Sequence, residues 1–231
     1  LVVRFRYFFI TCALLLCART PIAAHGTDFE TEWGTSAPFF APLEMSDAVA
    51  YNVAPPVPRP SPLALKSKDA TYLMAYRDTF NILSAPGACS NFFGGAVARE
   101  ALNDLAVQLK PRRLGNRNVG MLMDGETRIV IMVSTGRAYR LFERAALNSN
   151  GPFFRGNELL HETRITGIGS FAPNTRGARV LILLHELAHL IRQTDGRWLI
   201  PNDGLDAEQS ARNTALVEAA CEAELKALGE N

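Results

Sequence analysis

His185 and His189 stand four residues apart in the run Leu183-Leu184-His185-Glu186-Leu187-Ala188-His189-Leu190. On a helix that spacing brings both imidazoles to one face. Two neutral rings placed there can hold Zn2+ at about 2.0–2.1 Å per bond. Glu186 lies about 100° around the helix from His185, so its longer side chain can reach a water at the metal without being a ligand. The chemistry that follows is metal-assisted hydrolysis. The ion acidifies a water and polarises a carbonyl, while Glu186 takes the water's proton and delivers it to a leaving amine. The flanks fit this use, because Val180, Leu181, Leu183, Leu184, Leu187, Leu190 and Ile191 make the helix apolar on most sides. Two histidines and a glutamate buried in such a helix need a partner, and zinc supplies one. The chain has only four histidines, so two in this pattern are hard to ascribe to chance. A purely structural zinc would normally complete four protein ligands, often cysteines.

A catalytic zinc needs a third protein ligand and an open position. Asp203, in the loop after the motif helix, and Glu208, in the first turn of the next helix, are the leading candidates, with Asp195 and Asp206 as further options. Asp195 also reads as a turn residue before Gly196, and Asp206 as a helix N-cap. His161-Glu162 resembles half of a second motif but has no partner histidine. Tyr139 or Tyr76 could stabilise an oxyanion, although either suits a buried amphipathic position equally well. Phe153 and Phe154 read as core, with lining of a substrate cleft as the alternative.

The elements that must position these groups can be read from periodicity. Asp69 can cap a helix with Tyr72, Leu73, Tyr76, Phe80 and Leu83 on one face, ended by Pro86-Gly87. A second helix, from about Gly95 to Leu109, places Val97, Ala101, Leu102, Leu105 and Leu109 at helical spacing and stops at Pro111. The period then changes. Residues 128–133 and 137–147 read as short strands, with hairpin turns expected at Asp124-Gly125 and Ser134-Thr135-Gly136. Asn148 to Pro152 is a loop. The motif helix runs from about Thr175 to Arg192, and a last helix from about Asp206 to Leu228 presents Ala211, Ala215, Leu216, Ala219, Leu225 and Leu228. Helices, short strands and helices again predict a compact, mainly helical α+β domain with a β-hairpin or small sheet.

The remaining composition bounds the setting. The 231 residues suit one core of ordinary size. With 24 Lys+Arg against 23 Asp+Glu, no basic surplus points to nucleic acid; Arg112, Arg113 and Arg117 read as a solvated loop. Arg4 and Arg6 followed by an apolar run from Tyr7 to Cys17 read as an export signal, cleaved after Ala24. An uncleaved anchor, or a lipid attached through Cys17, is the alternative. Residues 25–65, rich in proline, read as an extended linker, and the folded domain as residues 66–231. Cleavage would leave Cys89 and Cys221, and two cysteines in an oxidising compartment most simply form one disulfide. The expected product is a secreted or periplasmic monomer with no membrane span, acting on a peptide or protein.

The motif helix resembles the active-site helix of zincin metallopeptidases. The wider pattern is similar to a group of uncharacterised exported bacterial proteins described as metallopeptidases. The similarity rests on Cys89-Ser90-Asn91-Phe92-Phe93, on Asn150 to Phe154, and on Ser210, Asn213, Thr214, Val217 and Cys221 after an Asp-containing loop. The resemblance implies a zincin-like fold and a Cys89–Cys221 disulfide, and it favours Asp203 over Glu208 as third ligand. The chain lacks a third motif histidine of metzincin type and the Asn-Glu-x-x-Ser-Asp motif of thermolysin-like enzymes. Two functions follow for comparison: a zinc-dependent peptidase, or an exported envelope-associated binding protein with a structural or vestigial metal site.

Overall fold

The computed structural model describes residues 65, 68–114, 119–156, 159–160, 163–204 and 206–229. The expected signal, nearly all of the expected linker, Arg117 and His161-Glu162 lie outside the described residues. The described part is an α+β domain in the order α1 (Ala70–Ser84), α2 (Ala88–Phe93), α3 (Ala96–Gln108), β1 (Lys110–Arg112), β2 (Met121–Ile131), β3 (Ala138–Asn148), β4 (Leu159–Leu160), β5 (Thr163–Arg164), α4 (Arg176–Leu190), α5 (Ala207–Ala220) and α6 (Glu222–Gly229). β1, β3 and β2 form one small sheet in that order, with β1 parallel and β2 antiparallel to β3. β4 and β5 pair as a two-residue ribbon.

α4 is the centre of the core. Its residues from Val180 to His185 and from Leu187 to Leu190 are buried, as expected of a helix that is apolar around most of its circumference. It packs against α1, α3, α5, α6 and β3. Each fully buried leucine there contributes about 1.5–3 kcal/mol of hydrophobic stabilisation. The Thr175 hydroxyl accepts a hydrogen bond from the Ala178 N–H and caps the start of α4. Arg176, in the first turn, donates from Nε and Nη2 to the two oxygens of the buried Asp78 at 2.8 and 2.9 Å, tying α4 to α1. The far end is tied to the sheet: the Arg192 N–H donates to the Ala138 carbonyl, and Ile191 makes an antiparallel bridge with Tyr139. Both ends of the helix that carries the motif are therefore anchored.

The first two predicted helices are present, and Tyr72, Tyr76, Phe80, Leu83, Val97, Ala101, Leu102, Leu105 and Leu109 are buried as their spacing requires. Leu65, at the end of the predicted linker, also packs into the core. Other expectations change. Asp124-Gly125 is not a hairpin turn but a bulge within a single long β2: the register shifts between Asp124 and Thr127, and Gly125 has φ +86°. The hairpin closes instead at Ser134-Thr135-Gly136, where the Gly136 N–H donates to the Met132 carbonyl and Gly136 has φ +65°. Pro111 does follow the end of α3, and it belongs to the short edge strand β1, where its missing N–H costs no ladder bond.

The predicted last helix is two. It breaks at Cys221, whose N–H bonds to the Val217 and Glu218 carbonyls and whose sulfur stands 2.01 Å from that of Cys89 in α2. No glycine or proline marks this break. The inward face of α5 also differs from the alanine-rich face expected. Asn213, Thr214 and Val217 are buried, whereas Ala211, Ala215 and Ala219 are exposed and Leu216 is 48% exposed. Alanine gains little by burial, and the buried polar pair has specific hydrogen-bond partners, described below.

The Cys89–Cys221 link closes a 132-residue separation and holds the α5–α6 junction on α2. Replacing both cysteines with alanine should lower the unfolding free energy by about 2–5 kcal/mol. Urea titration of the wild-type and double variant measures this; coincident curves would show that no disulfide forms.

Candidate metal centre

The four-residue spacing on α4 places His185 and His189 side by side, both buried, with ring centroids 4.9 Å apart. Asp203 reaches them from the loop between α4 and α5. That loop is fixed by α5 itself. The buried Asn213 amide donates to the Pro201 carbonyl at 2.9 Å, and the Asp206 N–H donates to the Asp203 carbonyl at 2.8 Å. Asp206 then caps α5 by accepting from the Glu208 and Gln209 N–H groups.

Three donor groups converge. The two Nε2 atoms are 3.1 Å apart, Asp203 Oδ2 is 3.1 Å from His185 Nε2, and Asp203 Oδ1 is 3.4 Å from His189 Nε2. Tetrahedral zinc with bonds of about 2.0–2.1 Å would put its ligand atoms about 3.3–3.4 Å apart. The spacing fits such an ion, and among the described residues this is the one cluster of three histidine, cysteine or carboxylate groups suited to a metal. The donor set of two imidazoles and a carboxylate suits Zn2+ in chemical type.

The hydroxyl of Thr214 fixes one ring's tautomer. Thr214 Oγ1 donates its single proton to the Ser210 carbonyl at 2.9 Å, so its 3.0 Å contact with His185 Nδ1 must be one in which Nδ1–H donates. Nε2 of His185 is thereby aimed at the cluster, the arrangement in which an outer hydrogen bond orients a metal-binding histidine. His189 is held differently. Its Nδ1 is buried without a hydrogen-bond partner among the described residues, while its backbone carbonyl accepts from Arg140 Nε at 2.8 Å.

Electrostatics follow from burial and proximity. Burial opposes ionisation of Asp203, but hydrogen bonds from His185 and His189, the charge of His189 and a hydrogen bond from Ser210 hold its carboxyl far below the usual range. For His185, burial works against protonation; the hydrogen bond to Asp203 and the charges of Glu186 and Asp203 outweigh it and raise the pKa. Glu186 is pushed up mainly by burial, reinforced by Asp203 and opposed by the two histidines.

Beside the cluster lies a cleft of about 400 Å³, lined on one side by His185, Glu186, His189 and Asp203 and on another by Gly120, Met121, Leu122 and Met123 of the sheet edge. Gly120 makes the close approach possible, since a Cβ there would stand 2.9 Å from the Ile182 side chain of α4.

Of the residues considered from sequence, the structure gathers His185, Glu186, His189 and Asp203. It does not bring in Glu208, whose exposed carboxylate pairs with Arg212 at 2.8 Å. Asp195 pairs with Arg197 in an exposed turn, and Asp206 is the α5 cap. Tyr139 is buried and donates to Asp104 at 2.7 Å; Tyr76 donates to Asn103 at 2.8 Å. Neither lines the cleft. Phe153 is fully buried in the core and Phe154 packs against it. Arg112 and Arg113 are exposed.

Sequence reasoning assigned no role to Ser210, Asn213 and Thr214, although all three stand in the motif that carries the resemblance; polar residues at i, i+3 and i+4 on a helix face were the available signal. Arg140 carried no signal at all.

No protein-family profile matches the chain, and no curated protein or solved structure is significantly similar to it.

Thr214→Val keeps the side chain's shape but removes the acceptor for His185 Nδ1–H. Zinc affinity, measured by competition with a chromogenic chelator, should fall about 10–100-fold. Unchanged affinity would show that the hydroxyl does not orient the ring.

Proposed function

We propose that this chain is a secreted zinc-dependent peptidase of zincin type, with His185, His189 and Asp203 as metal ligands and Glu186 as general base and acid. The observation that carries the reading is the convergence of the three donors at a cleft that Glu186 also lines. A purely structural ion would favour a closed set of four protein ligands; this cluster has three and faces open space.

Zinc bound there would supply Lewis-acid chemistry, making water a nucleophile near neutral pH and polarising the scissile carbonyl. The protein's own part is positioning and proton movement. Glu186, one residue from His185 and half-buried at the cleft wall, is placed to receive a proton at its carboxylate from the attacking water. It then passes that proton to the amide nitrogen as the C–N bond breaks, so that the amine leaves neutral. Burial raises the Glu186 pKa, which strengthens it as a base while the carboxylate is ionised.

The cleft also favours a polypeptide as substrate. β2 pairs only with β3, so its other edge carries backbone donors and acceptors free of any strand among the described residues. Met121, Leu122 and Met123 of this strand line the cleft. An extended peptide can add to such an edge, its main chain fixed by hydrogen bonds and its carbonyl presented to the metal side.

Export of the protein is supported by the cysteine pair, which suits an oxidising compartment. No helix among the described residues is long and apolar enough to cross a membrane.

Glu186→Gln tests the mechanism on zinc-loaded protein digesting a broad peptide library. Hydrolysis should fall roughly 10²–10⁴-fold, with zinc retained at the wild-type level. Equal rates for variant and wild type, or no cleavage by zinc-loaded wild type, would reject it.

A further inference from the structure

The cleft beside the metal cluster contains one Lys or Arg among its lining residues, Arg140. Its place follows from strand geometry. Tyr139 and Leu141 point into the core, and Arg140 and Phe142, alternating with them on β3, face the cleft. The guanidinium is gripped on three sides. Its Nε donates to the His189 carbonyl, and its central carbon stands 4.2 Å from the Trp198 ring centroid and 5.3 Å from that of Phe142. Such aromatic contacts hold a cation by its flat faces and leave its edge free.

Nε is spent on His189, while the Nη1 and Nη2 groups have no hydrogen-bond or ion-pair partner among the described residues. The Nη edge is not sealed in the core but opens on the cleft, where a ligand can reach it; burial of the side chain lowers the Arg140 pKa. A planar fork of N–H donors suits a carboxylate, which it can bind with two parallel hydrogen bonds.

We propose that Arg140 is a specificity-determining residue that binds a carboxylate of the substrate, borne either by the peptide's C-terminus or by an Asp or Glu side chain near the scissile bond. The inference rests on the peptidase reading for its substrate class, but its test does not need turnover. Because Arg140 also holds the carbonyl of His189, a merely structural role would change metal retention or folding. It would not change discrimination between otherwise identical ligands.

The test uses the full-length, zinc-loaded protein carrying Glu186→Gln, so that ligands are bound and not consumed. Calorimetry compares two pairs of hexapeptides. One pair has a free C-terminal carboxylate or its amide; the other, with amidated ends, has a central Asp or Asn. One pair should show roughly ten- to hundredfold tighter binding of the carboxylate member, and which pair does so identifies the source. Arg140→Gln should abolish that preference with zinc content unchanged. Arg140→Lys, which keeps the charge but loses the fork, should retain a reduced preference. Equal binding within both pairs would overturn the proposal, as would a preference that survives in Arg140→Gln. So would loss of zinc from both Arg140 variants. A preference that depends on Arg140, in a protein whose wild type hydrolyses no peptide, would sustain this inference and reject the peptidase reading.

Discussion

The structure depends on holding two imidazoles and a carboxylate within 3.1–3.4 Å of one another inside an apolar core. Unpaired polar groups in such surroundings are expensive, and a half-satisfied cluster would favour rearrangement over order. Much of the surrounding architecture answers that demand. α4 is pinned at its start by the Asp78–Arg176 pair and at its end by backbone bonds to β3. The Asp203 loop is held by Asn213, and His185 by Thr214. These are four separate anchors for one set of donor atoms.

This explains why α5 is built against the simplest rule for an amphipathic helix. Two polar residues, Asn213 and Thr214, face inward and most of its alanines face out. Asn213 and Thr214 lie one residue apart and serve different partners, one fixing the loop and the other the ring. Cys221 ends the helix and fastens it to α2, so the element that orients the centre is attached to the body of the domain.

Much of the centre was legible because it is local. The His185–Glu186–His189 spacing needs nothing beyond a helix, and α1 and α3 announced themselves by apolar periodicity. Contacts made through folding were harder to read. Asp203 and Glu208 were both reasonable from chain distance, and only the path of the loop separates them. The bulge at Asp124-Gly125 uses the same residues as a tight turn, because both need a glycine with positive φ. The break at Cys221 has no glycine or proline to mark it, and it falls where the chain is linked to a partner 132 residues away. The inward face of α5 is not legible from hydrophobicity, because the hydrogen bonds of Asn213 and Thr214 decide it. Arg140 sits in an ordinary alternating strand, and only the meeting of β3 with the end of α4 gives it a place in the cleft.

We propose that His185, His189 and Asp203 together hold one zinc ion. X-ray absorption at the zinc edge, on the purified chain loaded with one equivalent of zinc and dialysed, tests it most directly. One zinc per chain should be retained, with a first shell of two imidazoles and light oxygen or nitrogen ligands and no sulfur. Asp203→Ala should lose the ion under the same dialysis while Glu208→Ala keeps it. A chain that retains no zinc, or an Asp203→Ala variant with the wild-type zinc content and spectrum, would contradict it.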